Sequence, residues 1–578
     1  MTASANAPLP SADPVGGEDR PWFKYYPDAV PAVIPSVEER SLSDMVRNAA
    51  KHHGDKTAFS NLGGKLTFND VDRLATDFAA FLQTELGLVK GDRIVIQMPN
   101  LMQFPVAFYG ALRAGLIVVN ANPLYTVTEL KEAVHDAQPR AIVVLSNFAF
   151  KVEELLEGSS LEHVVITDAA DMLSQPKRAI INFAADKIKH MVRKYSIPNA
   201  VSFVTALKQG AAATWKDPEL TPGDTALLQY TGGTTGGTKA AILSHWNLLN
   251  NQEQFMGQIR NTLGEEKQPV IIAALPLYHV FALTVNAIGF YRFGAHNVLV
   301  TNPRDLKGFV KTIHKSKPDG LMLVSTLAAA LMDNEDFAKD DHSGLRITVA
   351  GGMALRSSVG ERWKKITGKD ITEGYGLTEA SPVVAVNPTH IPPRIGTIGI
   401  PLPSTDVRIV DEDHQDVEPG EPGELAVLGP QVMSGYWNNP KESANVLFDG
   451  GWLLTGDIAT MDEDGFLRIV DRKKEIIVVS GFNVFPGELE DAAMVHPKVS
   501  EAGATGVPDE HAGEVPKLYV VKRDDSLTAD ELRKFLKKRL AGYKRPHQIV
   551  FVDELPKTNV GKVLRRALKD LDADATAE

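Results

Sequence analysis

The sequence predicts an α/β protein: a large N-terminal domain of helix-covered β-sheets with a β-rich subdomain, followed by a small, mobile α+β C-terminal domain. Three observations predict it. Over the first four hundred residues, short β-rich apolar runs alternate with longer helical patterns. From about Gly396 the texture changes to short strands with frequent Gly and Pro turns. Beyond Asp471 the charge changes too: residues 472–578 hold 19 basic and 18 acidic side chains, whereas the whole 578-residue chain carries −12.

In chain order, residues 1–20 are rich in Ala, Pro, Ser and Gly, with neither a basic stretch nor an apolar run. They read as a flexible tail and not as a signal or transit peptide. Residues 93–97, 116–119, 141–145, 163–167, 226–230 and 346–350 are predicted strands, and 69–86 and 126–137 predicted helices. Such alternation builds parallel sheets covered by helices. The uncharged stretch 270–291 is long enough to span a bilayer, but Pro276, His279 and Asn286 interrupt it, and buried strands and turns are expected there.

Glycine-rich turns at 420–424, 435–440 and 450–456 punctuate the β-rich stretch of about 396–471. A hinge is expected at 471–474, which leaves 21–471 as the large domain and 472–578 as the small one. In the small domain Thr528 and Glu531 make a capping box for one helix. Leu532, Phe535, Leu536 and Leu540 form its apolar face, and Gly542 supplies the stop. The opposite face carries Arg533, Lys534, Lys537 and Lys538, either a solvated surface or an anion site. Residues 533–569 hold 12 basic and only 2 acidic side chains.

Composition excludes several functions. With 43% hydrophobic and 23% charged residues the chain is not largely disordered. It has no cysteine, so disulfides, Cys-ligated zinc, iron–sulfur clusters and any enzyme-bound thioester or thiolate nucleophile are ruled out. The acidic balance argues against a general nucleic-acid binder, which needs clustered Lys and Arg. No repeat of solenoid period is present.

Four segments carry chemistry. The first comes directly after an apolar strand and reads Tyr230, Thr231, Gly232, Gly233, Thr234, Thr235, Gly236, Gly237, Thr238, Lys239. Its glycines let the backbone approach a ligand closely, and its threonine hydroxyls and the Lys239 ammonium offer donors to phosphate oxygens. It is not the P-loop of kinases and GTPases, which needs Gly before its Lys and Ser or Thr after it; here those neighbours are Thr238 and Ala240. In the second, residues 372–379, Tyr375 between Gly374 and Gly376 could lie flat on a purine, and Glu379 offers a carboxylate for Mg²⁺. A plain turn with a buried Tyr accounts for the same residues. In the third, residues 452–457 with 464–466 and 470–474, Asp457 could accept both ribose hydroxyls or simply cap a turn. The fourth, residues 555–562, sets Lys562 on a short Gly-containing loop, where a solvated lysine is the ordinary outcome.

Together and in this order, the four segments resemble the adenylate-forming superfamily of acyl-CoA synthetases, luciferases and nonribosomal-peptide adenylation domains. The resemblance runs from about Asp19 to Leu568. Within the superfamily the likeness is to bacterial long-chain fatty-acid–CoA ligases: residues 450–474 resemble their fatty-acyl signature, and 276–283 and 479–488 are similar to them as well. The resemblance implies that residues 231–239 cradle the ATP phosphates, with Thr231 and Glu379 near Mg²⁺. It implies that Gly374 and Tyr375 hold adenine, Thr378 the α-phosphate, and Asp457 and Arg472 the ribose. Lys562 would reach the reacting carboxylate and the α-phosphate, and His279 would lie beside the acyl carboxylate. Residues 471–474 would form the hinge, with Lys474 among the ligand-binding side chains, and Gly481, Phe482 and Asn483 would border the pantetheine path. Two positions depart from the pattern. Ala240 stands where the superfamily usually has Gly, and Val478 where many members carry a Lys, so no catalytic role falls on Val478.

The reaction so implied has two halves. A fatty carboxylate, already ionised at pH 7, attacks the α-phosphorus of ATP and expels pyrophosphate; the thiol of CoA then takes the acyl group and AMP leaves. The first half needs charge neutralisation and in-line positioning and no general base. The C-terminal domain would turn about the hinge between the halves, and its basic segment would receive the CoA phosphates. The acyl chain would occupy an apolar tunnel near 278–283 and 351–353. Expected partners are a fatty acid, ATP and CoA, with Mg²⁺ as cofactor and no nucleic acid. The alternatives are adenylation of a medium-chain or aryl acid, transfer to a carrier protein, and, in a different class, a noncatalytic nucleotide- or acyl-binding regulator. The expected location is the cytoplasm, with peripheral contact at the inner face of the cell membrane suited to a lipid-soluble substrate, although no long amphipathic helix stands out. Oligomeric state is not legible, a homodimer being one option.

Overall fold

The computed structural model describes residues 20–571 apart from 29, 232–238, 265, 510 and 558–562. Two compact units are present, Met1–Asp406 with Leu428–Leu453, and Val407–Val427 with Leu454–Glu578. Residues 471–474 fall inside the second unit.

The first unit contains two large sheets. One has seven strands in the order Val201–Ser202, His163–Thr167, Ala141–Leu145, Arg93–Gln97, Ile117–Asn120, Thr225–Thr231 and Lys239–Ser244. All its pairings are parallel except the last, where Thr225–Thr231 turns back antiparallel onto Lys239–Ser244. The other has nine strands, with Val270–Ala273, His296–Leu299, Gly320–Leu323, Ile347–Ala350 and Thr372–Gly376 forming a parallel centre. Strands such as Ala141–Leu145 are buried at every position, as expected for parallel strands covered on both faces.

The covering helices start where local chemistry starts them. Phe68–Thr84 begins at a capping box of Thr67 and Asp70, and Val127–Ala137 at one of Thr126 and Glu129. The first presents Val71, Leu74, Ala75 and Phe78 to the core at helical spacing. Residues 270–291 differ from expectation. Val270–Ala273 is a strand, but the later part of the stretch is helical: Val280–Ala282 runs into a wide π-helical segment, Leu283–Phe290, buried at every residue. A helix apolar on all sides has no polar face, and so leaves no 3.6-residue signal in the sequence.

The stretch around 406–472 forms short strands, Asp406–Val410, Gly423–Leu428, Leu447–Phe448, Trp452–Met461 and Leu467–Arg472. In the second unit Val499–Asp509 and Gly513–Lys522 make a long antiparallel pair, and Gln548–Phe551 adds to it in parallel. Leu489, Val499, Leu518, Val520, Leu532 and Leu536 form the core beneath. The helix predicted here spans Ala529–Lys537 with two departures. Thr528 accepts from the Glu531 N–H, but the Glu531 carboxylate is drawn to Lys498 at 3.0 Å. The helix also stops before Gly542, because Arg545 donates to the carbonyls of Leu540 and Lys537 and satisfies that end.

Candidate active site

The antiparallel turn-back at the edge of the seven-stranded sheet positions the first group of side chains. Tyr230 is held by its hydroxyl, which donates to Asp136 Oδ2 at 2.7 Å and to the Ala133 carbonyl at 3.2 Å. Burial and the Asp136 carboxylate hold that phenol well above its usual pKa. Thr231 pairs across the ladder with Lys239, and its Oγ1 donates to the Lys239 carbonyl at 3.4 Å. Residues 435–437 continue the pairing beyond Lys239–Ser244: Ile242 N–H donates to the Gly435 carbonyl at 3.0 Å and Trp437 N–H to the Ala240 carbonyl at 2.8 Å. This brings Tyr436 beneath Lys239, whose Nζ lies 5.4 Å from the ring centroid. Lys239 is ion-paired with Glu442, on the helix Pro440–Val446. The Tyr436 hydroxyl donates to Glu379 Oε1 at 2.7 Å, and Met433 N–H to the Glu379 carbonyl at 2.8 Å.

The second group lies on the nine-stranded sheet. Thr372–Gly376 runs between Ile347–Ala350 and Val383–Val386. At Gly376 a Cβ would stand 2.1 Å from the Pro382 carbonyl oxygen, so only glycine fits. At Gly351 a Cβ would stand 3.2 Å from both the Gly374 carbonyl and the Phe281 ring, so the 278–283 segment, Gly351 and Gly374 meet there. Gln229 Nε2 donates to the Tyr278 carbonyl at 3.2 Å and ties this segment to the other sheet. His279 caps the short helix Val280–Ala282, accepting at Nδ1 from Phe281 N–H at 3.4 Å. The protein around it lowers its pKa by disfavouring the charged form, although solvent still reaches the ring. Glu373 is buried, and burial pushes its carboxyl up to about 7 against the opposing hydrogen bond from Leu355 N–H at 2.9 Å.

In the second unit Asp457 and Arg472 face each other across Trp452–Met461 and Leu467–Arg472 and form a 2.7 Å ion pair with the carboxylate buried. Arg565 gathers three carboxylates: Asp471 at 2.6 Å, Glu490 at 2.7 Å, and Glu475. Lys474 is exposed, as are Gly481, Phe482 and Asn483 around the turn joining Ile477–Val479 to Phe482–Val484. Lys557 and Val563 pair antiparallel. Lys562 and residues 232–238 lie outside the described residues.

The profile of the AMP-binding enzyme family matches residues 46–437. The chain belongs to that family. The profile of the AMP-binding enzyme C-terminal domain matches residues 488–562. A long-chain-fatty-acid–CoA ligase of Escherichia coli O6:H1 is 48% identical over 549 residues, covering 95% of this chain and 98% of that protein. One from Bacillus subtilis strain 168 is 38% identical over 561 residues, covering 96% and 98%. Among solved structures, an anthranilate–CoA ligase in complex with anthranoyl-AMP superposes with a TM-score of 0.80 at 26% identity, covering 93% of this chain and 98% of that one.

In this AMP-binding enzyme the ladder sets Thr231 opposite Lys239, Tyr436 links Lys239 to the sequence-distant Glu379, and Asp457 is joined to Arg472. It also recruits residues that the sequence does not single out. Tyr436 and Glu442 lie at and just beyond a stretch that reads only as a turn; the sole hint is an aromatic and an acid beside a Gly–Pro-bounded loop. Arg565 is, in the sequence, merely one of many basic residues. Lys544 and Lys557 are paired with Glu488 and Glu501, and Arg533 with Asp530.

Proposed function

We propose that this AMP-binding enzyme is a long-chain fatty-acid–CoA ligase that makes an acyl-adenylate from ATP and passes the acyl group to CoA. The observation that carries this reading is the end-to-end match to curated ligases so named, 95% of this chain against 98% of the Escherichia coli protein. In the first half-reaction the ionised acid needs no base. Residues 231–239 and the Lys239 ammonium receive the phosphates, and Tyr375 and Gly374 hold adenine. Thr378 meets the α-phosphate, and Asp457, oriented by Arg472, takes the ribose hydroxyls. Lys562 neutralises charge between the carboxylate and the α-phosphate, and His279 flanks the carboxylate as a neutral ring.

Mg²⁺ fits this arrangement in one way. Among the described residues no three His, Asp or Glu side chains converge into a metal-holding group. Glu379, oriented by the Tyr436 hydroxyl, suits an ion held mainly by phosphates and water, which is how Mg²⁺ commonly binds beside nucleotides. When bound, the ion would neutralise charge on the polyphosphate.

In the second half-reaction the C-terminal segment turns about 471–474, and Gly481, Phe482 and Asn483 border the incoming pantetheine. Lys537 and Lys538, exposed at the end of the helix Ala529–Lys537, are the better candidates for the CoA phosphates, because Lys544 is taken up by Glu488.

The deciding experiment is AMP release with a panel of medium- to long-chain and aryl acids, with and without CoA. Strict dependence on CoA with preference for long chains is expected; preference for aryl acids, or turnover only with a carrier protein, would overturn the reading. Lys562→Ala is expected to slow ATP–pyrophosphate exchange by about 3 kcal/mol of transition-state stabilisation, the scale of one lost electrostatic donor. Exchange at the wild-type rate would remove Lys562 from the mechanism.

A further inference from the structure

The residues on either side of the Lys562 segment meet each other. Lys557 and Val563 pair antiparallel, and Leu564 N–H donates to the Pro556 carbonyl at 2.7 Å. Both flanks are rooted in the second unit. Leu555 and Leu568 are buried with Tyr519, and Val563 packs against them. A Cβ on Gly503 would stand 3.2 Å from Leu568 and 3.3 Å from Val563. Lys562 itself lies outside the described residues, but Arg565, three residues on, lies within them.

Arg565 divides its guanidinium between two places. Nε and Nη2 grip the Glu490 carboxylate as a fork, at 2.8 and 2.7 Å, which fixes the guanidinium plane on the helix Pro486–Met494. Nη1 is left to face the expected hinge, where it donates to Asp471 Oδ1 at 2.6 Å and to Glu475. Asp471 is buried and held at both oxygens: Oδ1 also accepts from Arg472 N–H at 2.8 Å, and Oδ2 from Gly487 N–H at 2.6 Å. The base of the Lys562 segment, the start of a helix and the hinge thus converge on one planar group. Only arginine can do this, because a lysine ammonium has no fixed fork to share among three carboxylates.

The charge balance argues that stability is not the purpose. One acid would satisfy one guanidinium, and each further carboxylate in a half-dry place is unfavourable. The strain shows at Glu490, where burial holds the carboxyl above its usual pKa in spite of Arg565. What the surplus acids gain is a rigid connection at the hinge.

We propose that Arg565 is a positioning residue for adenylation: it locks the base of the Lys562 segment to Asp471 and Glu475, so that a turn about 471–474 brings that lysine to a fixed place. The inference rests on the ligase reading, with Lys562 acting in the first half-reaction and not in the second.

The two half-reactions, measured apart, test it: ATP–pyrophosphate exchange, and acyl-CoA formation from synthetic palmitoyl-adenylate and CoA. Arg565→Lys is expected to lower kcat for exchange about tenfold or more, with the KM for ATP within about twofold and the transfer step slowed less than about threefold. Glu475→Gln, at a side chain nearer the surface, removes one hinge contact and is expected to shift the ratio of the two rates the same way with an unchanged melting temperature. In a Lys562→Ala background Arg565→Lys is expected to add no further loss of exchange, since it acts through that lysine. Equal slowing of both half-reactions, exchange at the wild-type rate in either folded variant, or an additive loss in the double variant would overturn the proposal while leaving the ligase reading intact. A wild type with no exchange on any acid would overturn the ligase reading, and this inference with it.

Discussion

The Lys239 ammonium already has an anion, the Glu442 carboxylate, and lies over the ring whose hydroxyl holds Glu379. A triphosphate received at Lys239, as proposed, would compete with that carboxylate. A partly exposed pair contributes about 1 kcal/mol, so Glu442→Gln is expected to lower the KM for ATP by about fivefold in pyrophosphate exchange while leaving kcat nearly unchanged. Tyr436→Phe removes a hydrogen bond to a charged acceptor, worth about 1.5–3 kcal/mol; exchange is expected to slow by at least tenfold and to require more Mg²⁺. Glu373 supplies a pH test. Its folded pKa of about 7 lies above the ordinary 4.5, so the folded state holds a proton that the unfolded state has released. Stability is therefore full below about pH 4.5 and is lost as pH rises through 7, by about 3 kcal/mol. Glu373→Gln keeps an acceptor for Leu355 N–H and should abolish most of the fall in melting temperature between pH 5 and pH 8. The residues legible in the sequence were those whose chemistry is local. The glycines and hydroxyls before Lys239 read as a phosphate loop from adjacent residues alone; of that segment Thr231 and Lys239 fall among the described residues, paired across the ladder. Tyr436 and Glu442 were illegible because their meaning depends on partners as far as 203 residues away.

At the scale of elements, the strands 93–97, 141–145 and 163–167 were readable to the residue, since continuous apolar runs between turn signals leave few alternatives. Two helix starts fell within a residue of expectation, 68 against 69 and 127 against 126; Thr67 and Thr126 cap them through neighbours three residues on. Helix ends were less legible. The C-terminal helix stops on a side chain from beyond its end, Arg545, and not on Gly542. Arg565 plays a comparable part on a larger span, tying Asp471 and Glu475 to Glu490 on the helix Pro486–Met494. Arg565→Met would leave three carboxylates facing one another with little water. It is expected to destabilise the second unit by about 3–5 kcal/mol, seen as faster hydrogen exchange across residues 471–494 with little change in the first unit.

For the whole molecule, net charge proved a poor guide to any single surface: a chain of −12 carries a basic segment at 177–194, helical over 177–188, and a basic stretch at 533–569 whose side chains are partly spoken for by carboxylates. Among the described residues no helix is long and apolar enough to cross a membrane; the one long apolar stretch that raised the question, 270–291, is instead a strand and a buried helix inside the first unit. That first unit is also discontinuous, leaving at Asp406 and returning for Leu428–Leu453. The returning segment delivers Tyr436 and Glu442 to a sheet edge whose own strands end at Ser244. During synthesis, then, a ribosome must add some two hundred further residues after Lys239 before that lysine acquires its tyrosine floor and its carboxylate. Until then the nascent chain exposes a lysine-bearing edge strand with open hydrogen-bonding groups, a template for pairing with other chains that a chaperone would cover.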